Sequence, residues 1–98
     1  MQKESKFQSD LIKELHDILG TDGYVFKLDC RQGIPDLLIL YKSKWATLEC
    51  KRSADASRQP NQDYHVSKMN GLSFSRFIFP ENKEEVLNEL CETLGLGG

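Results

Sequence analysis

Leu37-Leu38-Ile39-Leu40-Tyr41 is an unbroken apolar run, and it constrains the fold of this 98-residue chain more than any other segment. A strand with one polar face can lie open to water, whereas a strand apolar on both faces is expected to be covered on both. The polar residues Lys42-Ser43-Lys44 follow, and Trp45 to Lys51 is the next strand-like run, so the pair predicts a hairpin. Layers of other elements must then close over it.

Those layers are legible as helices. Phe7, Leu11, Ile12, Leu15, Ile18 and Leu19 follow helical spacing over Ser5 to Leu19, with Ser5 and Gln8 as a capping-box pair and Gly20 as the stop. Thr21-Asp22-Gly23 predicts a turn, and Tyr24 to Asp29 alternates like a strand. Arg52 to Gln59 is polar and predicts a loop. Pro60 suits the first position of a helix reaching about Asn70, with Gly71 as its terminator. Leu72 to Phe79 predicts a strand closed by Pro80. Asn82 to Leu94 predicts a last helix that uses Val86, Leu87, Leu90 and Leu94, with a frayed tail over residues 95–98. The order α-β-β-β-α-β-α, without repeat or linker, predicts one α/β domain over residues 1–98.

A core of 39% apolar residues in so short a chain buries only about 60–65% of the unfolded surface. A second subunit is therefore expected, as a homodimer. No apolar run reaches membrane-spanning length, and Met1-Gln2-Lys3-Glu4 lacks the character of a signal peptide. Cys30, Cys50 and Cys91 are odd in number and without a CxxC pair, which suits a reducing cytoplasm and argues against a disulfide framework or structural zinc. The net charge of −2 counts mildly against nucleic-acid binding. Basic residues nevertheless gather between Lys42 and Arg58, where Lys42, Lys44, Lys51, Arg52 and Arg58 face only Glu49 and Asp55. Lys42, Lys44, Arg52 and Arg58 are candidate phosphate contacts, with Arg31 and Arg76 as further ones. A solvated basic face is the plain alternative.

Chemistry enters at the ends of the predicted hairpin. Asp36 opens one strand, directly after Pro35, and Glu49-Cys50-Lys51 closes the next, thirteen positions on. Because side chains alternate along a strand, Glu49 and Lys51 share a face while Leu48 and Cys50 join the core on the other. Mg²⁺ takes hard oxygen ligands and keeps several waters. Asp36, Glu49 and the Cys50 backbone carbonyl form such a set, with Lys51 beside it to orient water or to stabilise charge on a phosphate. On the alternative reading Asp36 is a turn acid, and Glu49 and Lys51 a solvated strand face. His16 reads as exposed, His65 as a surface or packing residue, and Trp45 as a core or dimer contact.

Gly33-Ile34-Pro35-Asp36, Glu49-Cys50-Lys51 and Gln59-Pro60-Asn61-Gln62, preceded by Glu4-Ser5-Lys6-Phe7-Gln8, together resemble the PD-(D/E)XK nuclease superfamily. Within it the chain is most similar to the VRR-NUC family, whose compact stand-alone members occur in bacteriophages. The resemblance spans nearly the whole chain and implies the restriction-endonuclease-like fold, a mixed central sheet flanked by helices. It implies Asp36 and Glu49 as ligands of Mg²⁺ or Mn²⁺, Lys51 as the catalytic lysine, Glu4 as an outer acid reaching the metal through water, and Gln62 near the site. It implies cleavage of phosphodiester bonds in branched DNA, a flap or a Holliday junction, by a dimer. The expected setting is cytoplasmic (host cytoplasm if phage-encoded), without membrane or organic cofactor. The rival expectation from another class is a non-catalytic nucleic-acid- or protein-binding module that keeps the fold.

Overall fold

The hairpin expected around Lys42-Ser43 is the centre of the molecule. The structure, a computed structural model, describes residues 3–29 and 31–96. Strand β2 (Leu37–Tyr41) pairs antiparallel with β3 (Lys44–Cys50), Leu37 opposite Leu48 and Tyr41 opposite Lys44. Only Lys42 and Ser43 lie between the strands, and Lys42 takes a positive φ of 55°, as a tight two-residue hairpin requires of its first loop position. β1 (Gly23–Lys27) adds antiparallel to the outer side of β2, and β4 (Ser75–Ile78) adds parallel to β3, giving a mixed sheet in the order β1-β2-β3-β4. Parallel neighbours need a crossover, and α2 (Pro60–Leu72) supplies it.

One face of the sheet carries the core. Val25, Leu37, Ile39, Ala46, Leu48, Cys50 and Ile78 pack there against α1 (Glu4–Leu19) and α3 (Lys83–Leu94). α1 contributes Phe7, Leu11, Leu15 and Leu19, with Ile12 and Ile18 at the margin, and α3 contributes the four apolar residues expected of it. A Lys83–Glu14 ion pair of 3.2 Å ties the two helices together. The opposite face is covered by α2 over β3 and β4, where Thr47 donates to Ser75 Oγ at 2.8 Å and meets Met69 Sδ at 3.5 Å. The α/β architecture and the element order are those the sequence predicts.

Several local expectations are corrected. β2 is not covered on both faces: Leu38 is half-buried and Leu40 exposed, so its outer side stays open beside Tyr24 and Phe26. Ser5 does not cap α1, because the helix starts one residue earlier with Lys3 as N-cap and no side-chain cap, and Gln8 instead hydrogen-bonds the Cys50 thiol. The capping box belongs to α2, between Gln59 and Gln62. β1 stops at Lys27, short of Asp29. Gly71 does not terminate α2: the helix runs through it to Leu72 and ends at Ser73, whose N–H returns to Met69 O, so β4 starts only at Ser75. Gly95 closes α3 in the left-handed conformation at φ 81°, and Leu96 donates to Cys91 O and packs on the core. Residues 97–98, like Cys30, lie outside the described residues. Among the described residues no helix is long and apolar enough to cross a membrane.

The geometry at Gly71 gives a direct test. A helical glycine with open space around its would-be Cβ loses backbone entropy on folding that alanine would not. Gly71→Ala is expected to stabilise the protein by about 0.5–1 kcal/mol in urea unfolding. A loss of stability would instead place Gly71 in the left-handed terminator role.

Candidate active site

Asp36 is fixed twice before its carboxylate meets any ligand. Its carbonyl accepts from Leu28 N–H at 2.7 Å, which continues the β1–β2 ladder, and its Oδ2 accepts from Cys50 N–H at 3.0 Å. The preceding turn is closed by Ile34 N–H to Arg31 O, with Pro35 fully buried. Gly33 has φ 90° and lies so close to Asn61 that a Cβ there would sit 2.5 Å from Asn61 Nδ2. Asn61 also donates to Gln32 O at 3.3 Å, so the start of α2 clasps the turn that presents Asp36.

Glu49 and Lys51 are not a solvated strand face, being 3% and 8% exposed. Their charges are 3.8 Å apart, from Lys51 Nζ to Glu49 Oε2. Gln62 bridges them: its Nε2 donates to Glu49 Oε2 at 3.0 Å, and its Oε1 accepts from Lys51 Nζ at 2.8 Å and from Gln59 N–H at 3.0 Å. Two donors on one side and a carboxylate on the other fix the orientation of that amide. Lys51 gives a further hydrogen bond to Ser57 O at 3.2 Å. Gln62, placed near the site by resemblance alone, touches both Glu49 and Lys51.

Asp36, Glu49 and Gln62 line one cavity of about 370 Å³, with Asp29, Arg31 and the backbone of the Gly33 turn. Burial pushes the Glu49 carboxyl up to about 7, and the Asp36 charge pushes in the same direction; Lys51 opposes them, and Glu4 adds a smaller push upward. Asp36 is also raised by burial, against the pull of Cys50 N–H, Lys51 and Lys27. Glu49 Oε1 is buried and has no hydrogen-bond partner. Two desolvated carboxylates that destabilise each other, one with an orphaned oxygen, fit a divalent cation, which would relieve both costs. Among the described residues no three His, Cys, Asp or Glu side chains converge as a metal cluster, and Asp36 and Glu49, with the Cys50 carbonyl, are the groups here that could hold a cation.

The remaining candidates divide by position. Glu4, at the exposed start of α1, lines a neighbouring cavity with Lys51 and Gln62, not the one that holds the two acids. Arg31 faces the acid cavity and Arg52 the neighbouring one. Arg58 is already engaged, 3.9 Å over the Phe77 ring and paired with Asp63 at 3.4 Å. Arg76 is likewise held by Phe74, Asn70 and Glu89. Lys42 and Lys44 flank the hairpin turn, at the opposite end of β2 and β3 from Asp36 and Lys51. His16 is exposed, His65 packs edge-on to Tyr64, and Trp45 is half-buried with its carbonyl accepting from Ser73.

Residue-by-residue reading missed Asn61, Gln59 and Ser57. The signal available was the pair of glutamines flanking Pro60 at N-cap and third-helical spacing, a capping box written with Gln at both positions.

No protein-family model matches the sequence, and no curated protein matches it. A solved structure described as a VRR_NUC domain shares the fold with a TM-score of 0.66 and 27% sequence identity, over 94% of this chain and 97% of that one. The likeness to that domain covers the fold and the order of elements over nearly the whole chain, and not merely a short motif, so the chain is a nuclease-fold protein similar to a VRR_NUC domain.

Proposed function

We propose that the chain is a Mg²⁺- or Mn²⁺-dependent endonuclease acting on branched or otherwise structured DNA. The observation that carries this reading is the pair of buried carboxylates in one cavity, Glu49 with an oxygen left without a partner and a charged lysine 3.8 Å away. A divalent ion bound there supplies a Lewis acid for the phosphate and lowers the pKa of water. Asp36 and Glu49 offer the anionic oxygens, and Cys50 its backbone carbonyl. Lys51 is pre-oriented by Gln62 and Ser57, so its ammonium can meet charge developing on the phosphoryl oxygens, or align the attacking water, without first being ordered. Gln62 acts as a positioning residue for both groups. Glu4 reaches the site through water, from the cavity next door.

DNA as partner is supported by Arg31 in the same cavity and Arg52 beside it. A homodimer is supported by the small core, by the two-fold character of a junction, and by Tyr24, Phe26 and Leu40 exposed together on the open side of the sheet.

Asp36→Ala, Glu49→Ala and Lys51→Ala are each expected to abolish Mg²⁺-dependent cleavage in a panel of linear, flap, four-way-junction and single-stranded substrates, and Glu4→Ala to reduce it partly. Full activity in any of the first three would remove the assignment. Titration calorimetry with Mn²⁺ is expected to show a saturable site in the wild type that Asp36→Ala loses. Absence of that site in the wild type would favour the non-catalytic binding module.

Glu49 adds a pH test. Its folded pKa of about 7 exceeds the ordinary 4.5, so the fold holds this proton more tightly than the unfolded chain does. That contribution to stability is complete below about pH 4.5 and is lost as pH rises through 7. Glu49→Gln, neutral throughout, is therefore expected to be more stable than metal-free wild type at pH 8, on the order of 1–3 kcal/mol, with the advantage shrinking toward pH 5. Added Mg²⁺ should raise the melting temperature of the wild type and leave the variant unmoved. An equal response of both proteins would exclude Glu49 as a ligand.

For the assembly, light scattering on an eluting size-exclusion peak is expected to give twice the mass of one chain at micromolar concentration. A monomer would refute the dimer.

A further inference from the structure

We infer that the cavity of about 640 Å³ next to the acid site, lined by Lys3, Glu4, Lys51, Arg52, Gln59 and Gln62, binds the phosphodiester adjacent to the scissile one on the same strand. The assignment rests on the nuclease reading for the identity of its ligand, and on its own geometry for the chemistry. The two cavities have opposite character. The first holds Asp29, Asp36 and Glu49 against a single arginine. The second holds two lysines and an arginine against the single carboxylate of Glu4.

They are separated by no more than one layer of side chains. Gln62 lines both, and Lys51, part of the second, stands 3.8 Å from Glu49 in the first. A strand whose reacting phosphate sits at Asp36 and Glu49 can carry its neighbouring phosphate past Gln62, toward the side with unpaired cations. Successive phosphates of one duplex strand are only about 3.4 Å apart along the axis. The second cavity is the space beyond that wall and is large enough for a nucleotide.

Its cations are free to serve. Several other basic side chains are paired: Lys6 with Asp10, Arg58 with Asp63, Arg76 with Glu89 and Lys83 with Glu14. Among the described residues, neither Lys3 nor Arg52 makes a side-chain hydrogen bond or ion pair, although the charge of Arg52 is felt at exposed Asp55. Lys3 is also the N-cap of α1, and no side chain caps the amides of that helix's first turn. Those amides add a partial positive charge at the rim. Glu4 opposes an anion here, and an incoming phosphate has to sit toward Lys3 and Arg52. Lys51 is committed to Gln62 and Ser57, which leaves Lys3 and Arg52 as the residues that specify this subsite.

The test is binding without cleavage. A fluorescein-labelled DNA duplex is titrated by fluorescence anisotropy in EDTA at several salt concentrations, against wild type, Lys3→Ala/Arg52→Ala, and the control Lys13→Ala/Lys68→Ala, which removes two exposed lysines elsewhere. Each phosphate contact contributes about 0.9 to the slope of log affinity against log salt. The first double variant removes that one contact and is expected to lose about tenfold in affinity at low salt and about 0.9 in slope, with the control within about 0.3 of wild type. An unchanged slope in Lys3→Ala/Arg52→Ala, or an equal drop in the control, overturns the subsite. If this slope falls while Asp36→Ala still cleaves, the phosphate subsite stands and the nuclease assignment fails. If cleavage is lost in Asp36→Ala while the slope is unmoved, the reverse holds.

Discussion

Everything at the working end of the sheet depends on one amide. Gln62 accepts from Lys51 and donates to Glu49, and in doing so satisfies a buried cation and a buried anion that would each be costly alone. The same side chain closes the N-terminus of α2 by accepting from Gln59 N–H. Helix docking and active-site order are therefore one event. α2 has little apolar surface with which to dock by itself, since Val66 is its one buried residue. Polar contacts hold it instead: Gln62 on β3, Asn61 on the Gln32 carbonyl, Asn70 on Ser75 N–H, and Met69 against Thr47.

That arrangement has an energetic consequence. α1 and α3 are fastened by burial of leucines, which is non-directional and tolerant. α2 is fastened by groups whose geometry must be met one by one. Loosening it frees Lys51, opens the Gly33 turn and exposes Glu49 together. Local opening is therefore expected first at α2, beside the candidate site, because elements held by few apolar contacts open most easily. The carboxylate pair adds to the cost, because neither Asp36 nor Glu49 is at ease in the metal-free fold.

How much of this was legible follows from which forces are written in periodicity. Elements secured by apolar burial could be read directly: the faces of α1 and α3, the bounds of β2, and the alternation that put Glu49 and Lys51 opposite Leu48 and Cys50. That Asp36, Glu49 and Lys51 lie together could be read because strand geometry alone brings them to one end of a hairpin. The α2-to-β4 boundary was misplaced because Gly71 and Leu72 carry terminator and strand signals that the helix overrides; the helix is ended by Ser73 and its return to Met69. The capping box was assigned to Ser5 and Gln8, where the spacing is standard, although Gln8 is needed at Cys50. The open side of β2 was illegible for a different reason: an apolar run does not say whether its second cover belongs to the same chain.

The two flanking cavities show why net charge says little about the partner proposed for this chain. The acids that make the chain slightly negative include the carboxylates that a cation would neutralise, and other acids are spent on pairing surface bases such as Lys6, Arg58 and Lys83. What a polyanion meets is the residual pattern after those pairings, and near the site that pattern is Arg31, Lys3 and Arg52 disposed around Lys51. A phosphate backbone is recognised by the spacing of unpaired cations along its path and not by the sum over the protein. On the proposed reading Gln62 sets that path, because it lines both the cavity that would hold the metal and the cavity with unpaired positive charge.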